Sequence, residues 1–184
     1  MQGRHRNPVT LVLGGARSGK SRYAEKLASE AASVTYIATA QPCDDEMTEK
    51  IRLHREGRPK GWRTVEEPLA LGPAVTGNSA ISEYVIVDCL TIFAANLLEA
   101  SGEDAAGMEG RVAQLLEALG SPACPVVLVS NEVGSGVVPA YALGRRYREL
   151  LGAINQRVAA CADNVLLMVA GLPLALKGEA GVRL

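Results

Sequence analysis

No apolar run in this 184-residue chain approaches the roughly 18 residues that a membrane-spanning helix needs, so no span is expected. The opening residues MQGRHRNP are basic, but no apolar stretch follows them, and a secretory leader is not read there. An excess of one charge is also missing. Nineteen Lys and Arg face twenty Asp and Glu, a net charge of −1, which speaks against a protein that holds nucleic acid by bulk attraction. The four cysteines, Cys43, Cys89, Cys124 and Cys161, form no C-x-x-C pair, so a zinc site is not expected. Two of them flank apolar runs and read as buried free thiols. Internal repeats and low-complexity linkers are absent too. What is left, 48% hydrophobic and 21% charged, is the balance of one folded cytoplasmic domain spanning 1–184, with residues 1–8 expected as a flexible arm.

Five short apolar runs recur: VTLVL (9–13), VTYIA (34–38), YVIVD (84–88), VVLVS (126–130) and VLLMV (165–169). Unbroken runs of this length suit strands covered on both faces, as in a parallel sheet. The stretches between them are long enough for crossover helices. Helices are expected over 20–32, 45–56, 90–100, 108–119 and 143–162. In the last of these, Leu143, Tyr147, Leu150, Leu151, Ile154 and Val158 recur at three- and four-residue spacing. TGNSA (76–80) and SGEDAAG (101–107) read as surface loops. The expected fold is a P-loop, RecA-like, three-layer α/β/α domain around a mostly parallel sheet.

The chemistry starts at Gly14, Gly15, Ala16, Arg17, Ser18, Gly19, Lys20 and Ser21, which match G-x-x-x-x-G-K-[ST] in full. Glycines let successive N–H groups turn inward into an anion nest, and the helix that follows adds its positive end. Lys20 would touch the β- and γ-phosphates, and Ser21 would ligate Mg²⁺. Asp88, at the end of an apolar strand, has two readings: a carboxylate for that Mg²⁺, or a cap for the next helix. The chain lacks an Asn/Thr-Lys-x-Asp base-reading motif, against a GTPase switch, and is short for a motor. A small-molecule transferase is favoured over a monofunctional kinase or a non-catalytic nucleotide-binding subunit. His54, on an expected helix beside Arg55, reads either as solvated surface or as an imidazole nucleophile towards phosphorus, with Arg55 and Arg58 neutralising the phosphates. Asn131 and Glu132 stand where ligands gather on open α/β sheets.

The blocks GGARSGKSRYAE, YIATAQPCDDEM, RLHREGRP, VDCLT, NLL, VSNEVGSGVVP, NQRVAACAD and VAGLPLALK run from Leu11 to Lys177. In this order and spacing they resemble the bifunctional adenosylcobinamide kinase/adenosylcobinamide-phosphate guanylyltransferase family of cobalamin biosynthesis. The resemblance implies phosphorylation of the aminopropanol hydroxyl of adenosylcobinamide by a nucleoside triphosphate, ATP or GTP. It further implies transfer of GMP from GTP to the resulting phosphate through a GMP-histidine intermediate on His54, releasing pyrophosphate. It adds guanine-nucleotide contacts from Ala38, Thr39, Ala40, Arg55, Glu56, Gly57, Arg58, Glu66 and Asp88, and a homotrimeric assembly. Glu66 is our candidate for reading guanine N1–H and N2–H₂. The chain departs from the family where Glu-Asn commonly follows the proline: here Ala140 and Tyr141 follow Pro139.

Overall fold

The computed structural model describes residues 6–42, 45–101 and 104–178; of Glu46, Met47, Lys50, Ile51, His54 and Ser101 it describes the backbone alone. Cys43 and residues 1–5 of the expected arm therefore lie outside the described residues. The last part of that arm is anchored: Arg6 donates to the Leu119 and Cys161 carbonyls, and Asn7 to that of Pro122.

All five unbroken apolar runs are strands: β1 (Val9–Gly14), β2 (Val34–Ala38), β4 (Tyr84–Asp88), β5 (Val126–Asn131) and β6 (Asn164–Val169). Two further strands, β3 (Arg63–Glu66) and β7 (Leu172–Lys177), lie on the edges, where one flank stays wet. The sheet order is β3-β2-β4-β5-β1-β6-β7, parallel except for β7, which turns back antiparallel on β6. Helix α1 (Lys20–Leu27) covers one face through Tyr23 and Ala24. On the other face lie α3 (Leu71–Ser79), α4 (Leu90–Ser101), α5 (Ala105–Gly120) and α6 (Ala142–Cys161). Phe93, Leu97, Leu115, Leu151 and Ile154 join Leu11, Val87 and Leu128 there in the larger core. The remaining helix, α2 (Asp45–Glu56), follows β2.

Four expectations need correction. SGEDAAG is helical at both ends, since α4 runs to Ser101 and α5 opens at Ala105, where the Asp104 side chain accepts from the Gly107 N–H. The first helix stops at Leu27 rather than 32; the Ala28 N–H and the Ser29 hydroxyl tie off its last carbonyls. TGNSA is mostly helix, not loop, because Asn78 and Ser79 are buried and bond back to the Ala74 and Thr76 carbonyls. Leu143, expected inside, is 60% exposed, since α6 has only just begun there and its buried face starts at Gly144.

The parallel register sends the C-terminal ends of β1 to β6 to one edge. β5 separates β1 from β4, so Asn131 pairs with Gly14 on one side, and on the other Val129 pairs with Asp88. Everything that follows is built on that edge.

Candidate nucleotide-binding active site

The turn after β1 is shaped by backbone demands that few residues meet. Gly14 has φ +153°, and a Cβ there would lie 2.6 Å from the Met168 carbonyl oxygen and 2.7 Å from Ser18 Oγ. Gly19, at φ +97°, turns the chain into α1 without a side-chain cap, and the Tyr23 N–H bonds to its carbonyl. The hairpin between β6 and β7 buttresses the turn from beside it, through the Gly171 N–H on the Ser18 carbonyl at 3.0 Å. Ser18 Oγ is buried without a hydrogen-bond partner among the described residues. The result is a preformed cradle with the N-terminus of a helix at its floor, the arrangement that binds phosphate.

Lys20 is buried at the foot of the cradle, where its Nζ donates to the Gly15 carbonyl at 2.6 Å. Burial pushes its pKa below the usual lysine range, while nearby Cys89 and Asp88 pull it back up. Phosphate oxygens arriving here would favour the charged form. Ser21 is half-buried on the first turn of α1.

Asp88 ends β4 and accepts a hydrogen bond on Oδ2 from the Tyr36 hydroxyl. Its carbonyl accepts from the Thr39 N–H at 3.1 Å. Thr39 Oγ1 in turn bonds both the Cys89 carbonyl and the Cys89 N–H, each at 2.8 Å. Asn96 on α4 donates to the Thr39 and Pro68 carbonyls, and the Glu67 N–H bonds to that of Ala38. Ala38 and Thr39 are thus laced to the ends of β3 and β4, and half-buried Ala40 follows them. Sequence reasoning missed Tyr36, Asn96 and Gly171 as supports of the site. Tyr36 lies mid-strand and Asn96 inside α4, and only Gly171, in a turn, stood where a hint could be read.

Beyond β2, Arg55 pairs with Glu66, so the carboxylate expected to read guanine is held beside α2 by an ion pair at the surface. Glu56 pairs with Arg52 at 2.5 Å. Arg58 stacks its guanidinium 3.5 Å from the centroid of the Tyr36 ring and donates to Thr64 Oγ1 at 3.2 Å. Ser21, Arg22 and Glu25 of α1 line a cleft of about 380 Å³ together with Leu53 and Gly57. The end of α2 therefore faces the start of α1 across that cleft, with Leu53 and Gly57 bracketing His54 in the chain; the His54 imidazole lies outside the described residues.

On the far side of the cradle, the Glu132 N–H bonds to the Gly14 carbonyl and the Asn131 N–H to Thr91 Oγ1. Both expected residues border the cradle, although the Glu132 carboxylate turns back onto the Gly134 N–H. Tyr141, where the family departure falls, lines a second cleft of about 620 Å³ with Ala95, Leu98, Glu99, Leu143 and Tyr147. Among the described residues no helix is long and apolar enough to cross a membrane, and no group of three His, Cys, Asp or Glu could hold a metal by itself.

Comparison with known proteins then decides among the transferases. The family described as cobinamide kinase / cobinamide phosphate guanyltransferase matches residues 10–176. The chain belongs to that family. It is 48% identical over 170 residues to the bifunctional adenosylcobalamin biosynthesis protein CobP of Pseudomonas aeruginosa, covering 92% of this chain and 97% of the relative. With the CobU protein of the same description from Salmonella typhimurium it shares 44% over 180 residues, covering 92% and 99%. Among solved structures, a type III secretion system ATPase of pathogenic bacteria superposes with a TM-score of 0.58 at 14% identity, over 92% of this chain and 57% of that one. A Pyrococcus horikoshii protein gives 0.54 at 12%, over 94% and 87%. Those two likenesses concern the fold alone, and they agree with the expected P-loop architecture.

Proposed function

We propose that this chain, a bifunctional cobinamide kinase and cobinamide-phosphate guanylyltransferase of cobalamin biosynthesis, runs both reactions at the one cradle described above. The kinase half places a nucleoside triphosphate, ATP or GTP, with its β- and γ-phosphates against the inward N–H groups of 14–21 and the Lys20 ammonium. The aminopropanol hydroxyl of adenosylcobinamide takes the γ-phosphoryl group. Positioning and charge stabilisation supply most of the rate in such transfers.

The guanylyl half uses GTP in the same cradle. A neutral ring nitrogen of His54 attacks the α-phosphorus, a P–N bond forms, and the bond to the β-phosphate oxygen breaks to release pyrophosphate. A phosphate oxygen of adenosylcobinamide phosphate then attacks the same phosphorus and displaces His54, giving adenosylcobinamide-GDP. Ala38, Thr39, Ala40, Glu56, Gly57 and Glu66 surround the guanine nucleotide, and Arg55 and Arg58 offset phosphate charge. The observation that supports this reading is the cleft that Ser21 shares with Leu53 and Gly57, which bracket His54 in the chain.

Ser21 and Asp88 suit Mg²⁺: one hydroxyl and one carboxylate, hard oxygen donors, too few to bind it without nucleotide phosphates and water, which is its usual coordination in phosphotransferases. Bound there, Mg²⁺ would neutralise charge on the phosphates. The assembly we infer is a cytoplasmic homotrimer. Val169, Leu172, Leu174 and Leu176 of the β6–β7 hairpin, each more than half exposed, offer apolar surface of the kind that subunit contacts cover.

The test is trapping with α-labelled GTP. An acid-labile protein adduct, discharged when adenosylcobinamide phosphate is added, is expected. No adduct, or an acid-stable one, overturns the histidine step. Sedimentation of the full chain checks the trimer.

A further inference from the structure

Tyr36 stands in the middle of β2, paired with Ile86 of β4, and is 1% exposed. Packing alone asks only for its ring. A buried phenol costs free energy unless its hydroxyl finds an acceptor, and a phenylalanine would fill the same volume without that demand. The acceptor here is Asp88 Oδ2, two residues further along the neighbouring strand at the site edge.

The other neighbour of the ring is just as specific. Arg58, two residues beyond α2, lays its guanidinium 3.5 Å from the ring centroid, and its Nη1 bonds to Thr64 Oγ1 on β3. Arg58 Nε is buried with no hydrogen-bond partner among the described residues, so stacking, not hydrogen bonding, holds that part of the group. One aromatic ring therefore joins the chain leaving α2 to the carboxylate opposite Lys20.

We propose that Tyr36 is a positioning residue of the nucleotide site: its hydroxyl locks the Asp88 carboxylate in the rotamer that meets the nucleotide-bound divalent cation, and Arg58 clamps the ring that carries the hydroxyl. With Oδ2 engaged, Oδ1 of Asp88 would be left to hold the cation. The carboxylate is also kept from turning freely onto the Lys20 ammonium, which stays on the Gly15 carbonyl. The proposal rests on the reading of Asp88 as the cation's carboxylate, but not on the histidine step.

Tyr36→Phe keeps the ring and removes the lock. Mn²⁺ binding to the full chain saturated with a non-hydrolysable GTP analogue, followed by electron paramagnetic resonance, is expected to weaken about tenfold, as loss of an orienting partner usually does. Binding of the analogue in EDTA should stay within about twofold, and excess Mg²⁺ should restore the kinase rate with the KM for adenosylcobinamide unchanged. Arg58→Met, on the connection after α2, should weaken Mn²⁺ in the same direction by a smaller factor. In an Asp88→Asn background, Tyr36→Phe should add nothing. Wild-type Mn²⁺ affinity in Tyr36→Phe overturns the proposal, as does an equal loss of analogue binding with and without metal. Should Tyr36→Phe unfold, Arg58→Met decides: unchanged Mn²⁺ affinity there sinks the clamp and with it the proposal. A failed GTP trapping with weakened Mn²⁺ binding would refute the guanylyl step and leave this inference standing.

Discussion

On the proposed reading the turn after β1 and the helix after β2 supply the two halves of one active site, and they are built in opposite ways. Every residue of β1 is buried, α1 buries Lys20, Tyr23 and Ala24, and the cradle is made from main-chain atoms braced by the Gly171 N–H. On α2, by contrast, every side chain that is described, from Asp45 through Thr48, Glu49, Arg52, Leu53, Arg55 and Glu56, is exposed. Its fixtures are the ion pairs of Arg52 with Glu49 at 2.6 Å and with Glu56 at 2.5 Å, and of Arg55 with Glu66. Exposed pairs of this kind contribute little to stability. The cradle is thus set by folding itself, whereas the described side chains of α2 are exposed and engage in surface ion pairs. A phosphate-binding core of this kind serves any phosphoryl transfer; on our proposal the identity of the second reaction lives on α2.

Substitutions at the two halves should separate that division of labour. Lys20→Met strikes the shared half and should lower both activities by at least ~10²–10³-fold. It carries a sign that tests the burial argument. Because burial holds the folded-state pKa of Lys20 below the unfolded value near 10.5, the charged lysine destabilises the nucleotide-free protein at neutral pH. That penalty is present below the lowered pKa and relieved as pH rises towards the unfolded value. Without nucleotide, Lys20→Met should therefore melt higher than the wild type at pH 7, with the gap closing in alkali. Nucleotide affinity of the wild type should fall as pH rises through the same lowered pKa. A lower melting point for Lys20→Met at pH 7 would contradict the account.

His54→Ala strikes the other half. Guanylyl transfer should drop by more than ~10³-fold and the labelled adduct vanish, with phosphorylation kept within a few-fold. Equal loss of both activities would erase the distinction between the two regions. Gly14→Ala should be milder in activity terms than either but should cost ~1–3 kcal/mol of stability, because the new Cβ meets the Met168 carbonyl and Ser18 Oγ with little room to give. Denaturant melts measure it directly.

The same contrast explains how much could be read from residues alone. Strands β1, β2, β4, β5 and β6 were legible because both of their faces are covered, which leaves unbroken apolar runs. The edge strand β3, Arg-Thr-Val-Glu, has no such run, and β7 begins Leu-Pro with mostly exposed side chains. Helix α3 carries Gly72, Pro73 and Gly77, poor formers by propensity. It exists because it packs closely on α5: a Cβ on Gly72 would lie 2.6 Å from the Gln114 backbone. The cradle and Asp88 were legible because their chemistry follows from residue type at fixed spacing. The bonds from Tyr36 to Asp88 and from Asn96 to Thr39 join residues more than fifty positions apart, which only the sheet order brings together.

The smallest expected effect concerns the fixtures of α2. Arg52→Ala removes two exposed ion pairs at once, yet it should leave the melting temperature nearly unchanged, since both partners are solvated in either state. Local stability is the sharper probe. Amides of α1 share a buried face with the main sheet and should exchange with solvent only through large openings, whereas those of α2 should exchange through local fraying. Arg52→Ala should speed exchange along Asp45–Glu56 and leave Lys20–Leu27 untouched. Matching protection in the two helices would mean that contacts of the side chains outside the described set pin α2 as firmly as the cradle, and the contrast drawn between the two regions would fail.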